Sequence, residues 1–193
     1  TYTLFAIVVL ATALGSMTQT VMNSMLGGVE AAFGIEPAVG QWLTTIYMLV
    51  LGITVPVVTF LSHKLSVKGL TFLALALFLA GVVVSWVAPS FGVLLAGRVL
   101  QAIAMTRFPP GQNATAMGIA GIAMGFAPNI GPLIGGALVD SWGWRSFFVM
   151  LAAALALLVA ATAAFVRAER APARPARLDV TSLLLSTLGF GAL

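Results

Sequence analysis

Charge is confined along this chain. Of nine basic and five acidic side chains, only Arg98 falls inside an apolar run; the others stand between such runs or at their ends. Runs of roughly 20 apolar residues match the thickness of a bilayer core. In hydrocarbon the backbone must satisfy its own N–H and C=O groups, so each run is expected to be a helix. Hydrophobic residues make up 61% of the chain and charged residues 7%, against about 25% charged in an ordinary soluble domain. Such a chain cannot cover itself with a polar surface. It reads as an all-α membrane protein with the lipid bilayer as its solvent, dividing its 193 residues into six or seven spans. The formal charge of +4 belongs to the segments between spans and does not point to nucleic acid. The absence of cysteine excludes disulfides and thiol chemistry.

The spans run from about Leu4 to Leu26, Gln41 to Leu61, Leu70 to Ala88, Phe91 to Thr106, Ala114 to Asp140 and Phe147 to Val166. Another starts near Val180, and the segment before it, RAERAPARPARLD, is too rich in proline for a stable helix. We therefore expect a six-helix bundle over residues 1–166, a basic linker over residues 167–179 and the start of a seventh helix over residues 180–193. The chain lacks an initiator Met and stops inside an apolar run, as a piece of a longer polypeptide would. The fourth span holds only 16 residues, about 24 Å of helix against a core roughly 30 Å thick. Either that helix is truncated, or residues are missing between about Met105 and Arg107; we adopt the second reading.

Charge placement orients the spans. His63, Lys64, Lys68, Arg107, Arg167, Arg170, Arg174 and Arg177 occupy alternate connections, while Glu30, Glu36, Asp140 and a single Arg145 occupy the others. The positive-inside rule makes the first set cytoplasmic. Trp42, Trp86, Trp142 and Trp144 all fall at outer span ends, where an interfacial aromatic belt is expected.

The stretch from Ala114 to Gly135 carries a second pattern. Ala114, Gly118, Gly121, Gly125, Pro128, Pro132 and Gly135 recur at alternating steps of four and three, which predicts that they share one helix face. In water each Gly would cost a helix roughly 1 kcal/mol and each Pro about 3. In hydrocarbon the helix survives, and the smooth face admits a close neighbour. The stripe serves either close packing or a gating contact that forms and breaks.

Other candidates are polar groups inside spans. Arg98, at mid-span, costs at least about 2.5–3.5 kcal/mol to insert. It either binds an anion or tunes a proton site, or it is a strut bonded to main-chain carbonyls; Gln101, one turn on, could share its hydrogen bonds. Gln19, Thr20 and Asn23 on the first span are candidates for lining a central cavity. His63, alone in a basic turn, lacks the partners a metal site needs. One loop histidine and no buried acid leave no constellation for an intramembrane enzyme, and no Gly-x4-Gly-Lys motif implies a nucleotide cofactor.

These residues together resemble the N-terminal half of a major facilitator superfamily transporter, more specifically the bacterial drug:proton antiporter family with fourteen spans. Gly118-x8-Ala127-x3-Gly131-Pro132-x2-Gly135-Gly136 matches that family's fifth-helix signature except at Ala127, and Arg98-x2-Gln101-Ala102 is close to its Arg-x2-Gln-Gly motif. TAMGIAGIAMGFAPNIGP and Trp144-Arg145 also read as this family. The cytoplasmic loop motif keeps only Leu61 and Lys68, with Lys64 where the family has Arg; Thr18 replaces a first-helix Asp and Gly27 a Pro.

The resemblance implies a multi-pass protein of the bacterial cell membrane exporting amphipathic compounds against protons by alternating access. It implies that the glycine-rich helix meets the C-terminal half of the same transporter, and that Arg98, Gln101, Gln19 and Asn23 belong to the substrate or proton pathway. Eight Met and twelve Phe suit an adaptable, greasy cavity. With no Asp or Glu inside a span, proton coupling would use the other half, Asp140 or another group. The short fourth span and the eroded loop leave an alternative, a degenerate relative that inserts but transports nothing.

Overall fold

The computed structural model describes residues 2–64, 66–105 and 114–166. The expected linker at 167–179, the seventh helix at 180–193 and the suspected gap before Arg107 lie outside the described residues, as do the side chains of His63 and Lys64. Six long helices and one single turn make up the fold: α1 (Tyr2–Phe33), α2 (Pro37–Gly40), α3 (Trp42–Lys64), α4 (Val67–Trp86), α5 (Phe91–Met105), α6 (Ala114–Trp142) and α7 (Arg145–Phe165). By length and hydropathy, Thr3–Phe33, Pro37–Thr54, Lys68–Trp86 and Arg145–Phe165 can each cross a membrane. The 15 described residues of α5 rise about 22 Å; the expected shortfall turns on the residues after Met105, which lie outside the described residues. Phe78, Leu75, Leu43, Leu94, Phe147, Phe148, Leu151 and Leu155 fill the interior, while Leu10, Leu133, Leu157 and Phe165 face outward. That is the arrangement a lipid solvent permits, since the outer surface needs no polar cover.

The first helix continues past its expected end at Leu26. Gly27 and Gly28 do not break it, because Met22, Met25 and Val29 keep a buried stripe at helical spacing across them. It stops at Gly34, whose φ of +62° is left-handed, and the Ile35 N–H donates to Glu30 O at 3.1 Å. That bond belongs to the Schellman termination, which glycine adopts without a Cβ penalty. At the start of α4 the Ser66 hydroxyl accepts from the Gly69 N–H at 3.1 Å, an N-cap in the basic turn.

Backbone contact joins α4 to α5. A Cβ on Gly97 would lie 2.8 Å from Gly81 O and 3.0 Å from Ser85 N, and one on Gly81 would lie 2.8 Å from Gly97 O. Neither position tolerates a side chain without moving main chain. The pair α4 and α7 is clamped at both ends instead. The Lys68 ammonium, in the first turn of α4, donates to Ala163 O near the end of α7 at 3.3 Å. The Arg145 guanidinium, opening α7, donates to Trp86 O at 3.2 Å and Ala88 O at 2.8 Å where α4 ends. Each helix thus supplies the cation that the other's carbonyl terminus favours. This gives Arg145 a local reason to sit on the side otherwise poor in basic residues.

One expectation needs correction. Trp42, Trp86 and Trp142 are exposed at span ends, but Trp144 is buried, its ring 5.7 Å from Phe33 and 6.0 Å from Phe148. Its position next to the tight turn at Gly143, with φ of +78°, carries it inward. The small residues of α6 differ in what they meet. Gly131 and Gly135 press on α1, where a Cβ would lie 3.1 Å from Met17 O and 2.6 Å from Val21 Cγ1 respectively. Gly118, Gly121, Gly125 and Gly136 have nothing among the described residues within 4 Å of a Cβ, and Pro132 is exposed.

Gly97→Val should destabilise the protein by about 1–3 kcal/mol or more through overpacking. Gly92→Val, on the same helix with nothing within 4 Å, should stay within about 0.5 kcal/mol; thermal unfolding of the purified full-length protein compares them. Arg145→Ala should cost about 1.5–3 kcal/mol, the range for hydrogen bonds to a charged group, read in the same assay.

Candidate functional site: a buried arginine behind a polar groove

Arg98 is fully buried on α5, one residue after the glycine that brings α4 into contact. Its Nε donates to Leu43 O on α3 at 3.3 Å, one terminal nitrogen to Gln101 Oε1 at 2.7 Å, and the other to Gln19 Oε1 on α1 at 2.7 Å. Its guanidinium carbon lies 4.4 Å from the centre of the Tyr47 ring, within cation–π range. Gln101 is also fully buried; its amide nitrogen donates to Ser85 Oγ at 3.1 Å, and the Ser85 hydroxyl donates to Gly81 O at 2.8 Å. The chain of bonds therefore crosses α1, α3, α4 and α5.

The electrostatics are unusual for the middle of a membrane. The guanidinium's neighbours among the described residues are neutral: a main-chain carbonyl, two amide oxygens and an aromatic face. No carboxylate contacts it among the described residues. Hydrogen bonds to a charged group contribute about 1.5–3 kcal/mol each, so three of them offset the insertion cost of a few kcal/mol. An arginine fits this duty because its planar fork supplies five donors in several directions at once.

Beside the network lies an open groove of about 760 Å³ between α1 and α3, lined by Gln19, Thr20, Asn23, Thr44, Thr45, Met48 and Leu49. The Thr20 and Thr44 hydroxyls donate to Met17 O and Gln41 O of their own helices, at 3.0 and 2.9 Å, which leaves their oxygens acceptor capacity only; the Thr20 oxygen also faces Gly131 of α6. The Gln19 carbonyl is held by Arg98, so its amide N–H groups are what it can offer. Gln19 is the one residue in both the network and the groove. Gly131 of α6 packs against Thr20 from behind, while Gly118, Gly121 and Gly125 belong to the open edge of that helix.

The candidates read from sequence are thus sorted. Gln19 and Asn23 line the groove; Arg98 and Gln101 lie behind it, fully buried. The strut reading of Arg98 has its carbonyl, that of Leu43, and the hydrogen-bonded partnership with Gln101 is also present. Lys68 lies at the end of α7 rather than in the groove. Sequence reasoning missed Tyr47, Ser85 and the α3 wall of Thr44, Thr45, Met48 and Leu49. A signal existed in Thr44-Thr45, an adjacent polar pair inside an apolar run, and in Gly81-x3-Ser85, a pair of small residues one turn apart. Among the described residues no cluster of three or more His, Asp or Glu side chains could hold a metal.

The chain is similar to known proteins. The family model described as Major Facilitator Superfamily matches residues 8–191. The MFS-type transporter YcnB of Bacillus subtilis strain 168 is 35% identical over 92% of this chain and 40% of its own length. The lincomycin resistance protein LmrB of the same organism is 33% identical over 95% of this chain and 41% of its own length. A crystal structure of a POT family transporter in complex with 5-aminolevulinic acid superposes with a TM-score of 0.74 at 13% identity, over 97% of this chain and 44% of that one. The chain therefore spans about 40% of the length of these curated relatives. It belongs to the Major Facilitator Superfamily, and its apolar helices are those of a multi-pass membrane protein.

Proposed function

We propose that this chain is the N-terminal half of a drug exporter in a bacterial cell membrane, exchanging amphipathic compounds for protons by alternating access. The observation that carries this reading is the double role of Gln19, which lines a groove of transportable-molecule size and is hydrogen-bonded to a buried arginine. Occupancy of the groove is thereby coupled to a polar network reaching four helices. In transporters of this kind two bundles rock around a midplane site, and the open glycine edge of α6 supplies a smooth surface for the other half to meet and leave. The lincomycin resistance of a relative and the Bacillus origin of both relatives support the substrate class and the membrane. Proton coupling would draw on the C-terminal half or on Asp140, since Glu30, Glu36 and Asp140, the acids among the described residues, all lie at helix ends or in connections.

Cells expressing the full-length protein should accumulate less chloramphenicol than vector controls, and an uncoupler should abolish the difference. Gly121→Val, which meets nothing among the described residues, should leave membrane expression intact and reduce export by about tenfold, roughly 1.4 kcal/mol at the gating contact. Unchanged accumulation on expression of the unmodified protein would favour the inactive relative that the eroded cytoplasmic loop motif leaves open.

A further inference from the structure

The groove has no charge of its own, yet a full positive charge stands immediately behind it. None of its seven lining residues is ionisable. The Arg98 guanidinium is one hydrogen bond of 2.7 Å away from Gln19, which forms the groove wall, and arginine stays protonated in proteins. No carboxylate touches that guanidinium among the described residues, so nothing there cancels its field. The nearest acid along α1 is Glu30, eleven residues beyond Gln19 and so about 16 Å along the helix. A ligand seated at Gln19 therefore feels the arginine first, through protein rather than bulk water.

From this we infer that the groove selects uncharged amphipaths bearing hydroxyl and amide groups and discriminates against organic cations. The inference rests on the exporter reading and narrows its substrates. The attractive part comes from the lining: amide N–H groups of Gln19, an Asn23 amide with no side-chain hydrogen bond among the described residues, and hydroxyl oxygens of Thr20, Thr44 and Thr45. Met48 and Leu49 add an apolar strip for the rest of the molecule, Met being able to adapt to different shapes. The repulsive part is the arginine. Like charges about 8 Å apart at an effective dielectric constant of about 20 give a bias of roughly thirtyfold, and water in an open groove trims it toward about tenfold.

The test uses the full-length protein in cells, with chloramphenicol as the uncharged probe carrying hydroxyl and amide groups and tetraphenylphosphonium as the cation. Export of each is scored against a vector control. We expect chloramphenicol export to exceed tetraphenylphosphonium export by about tenfold or more. Gln19→Glu places a carboxylate on the guanidinium, and Asn23→Asp adds one at a side chain with no hydrogen bond among the described residues; each should raise the tetraphenylphosphonium-to-chloramphenicol ratio by about tenfold. Equal export of both probes by the unmodified protein overturns the inference and leaves the exporter reading standing, as does a ratio unmoved in both variants. Export of neither probe overturns the exporter reading and this inference with it.

Discussion

A positive charge sealed inside a bilayer, with neutral partners only, is the constraint around which this bundle is arranged. Water cannot solvate Arg98, and no acid of the described helices reaches it, so carbonyl, amide and aromatic groups must be brought to it from every side. That requirement fixes rotations. α1 must present Gln19, α3 must present Leu43 O and the Tyr47 face, and α5 must keep Gln101 one turn from the arginine. Gln101 in turn needs Ser85, and Ser85 reaches it only because Gly81 and Gly97 let two backbones touch. Lipid-facing Leu and Phe side chains impose no such direction, since hydrocarbon rewards their exposure on any face. The polar network is therefore what distinguishes one rotational arrangement of these helices from others of equal greasiness.

The glycine-rich helix shows how a single repeat can serve two neighbours. Gly131 and Gly135 reach α1, while Gly118, Gly121 and Gly125 meet nothing among the described residues. One end of the helix is consumed by packing against α1. The other presents its small residues without a neighbour among the described residues. Pro128 and Pro132 lie beside the packed end, each removing a main-chain donor and softening the helix there. A helix that must grip one partner firmly and release another is well served by such a division.

How much could be seen in the sequence follows from what each signal measures. The order of the described spans and most of their ends were legible, because a bilayer makes hydropathy nearly sufficient to place a helix; the boundaries of α3, α4 and α7 and the start of α5 fall within a few residues of the expected ones. The end of α1 was not. Glycine at 27 and 28 looks like a stop until the buried Met22, Met25 and Val29 are known to continue across it. Arg98 and Gln101 were legible as a pair because a charge at mid-span is anomalous in any arrangement. Tyr47 and Leu43 O were not, since a contact between α3 and α5 depends on rotations that a linear pattern does not record. For the same reason the glycines at 81 and 97, which carry the tightest helix contact, attracted less notice than the more numerous ones of α6.

The two clamps between α4 and α7 complete the division between what is fixed and what is left free. Lys68 and Arg145 tie opposite ends of one antiparallel pair, and the network around Arg98 ties α4 and α5 to α1 and α3. Four of the long helices thus share one hydrogen-bonded interior, and α7 is bound to it at both rims. What carries no such tie is the groove-facing side of α1 and α3 and the open edge of α6. A bundle organised in this way resists deformation within itself and concentrates any relative motion at its unpartnered surfaces. If the two halves rock as proposed, rigidity here is what converts an event at Gln19 into displacement at the glycine edge, rather than letting it dissipate among loosely packed helices.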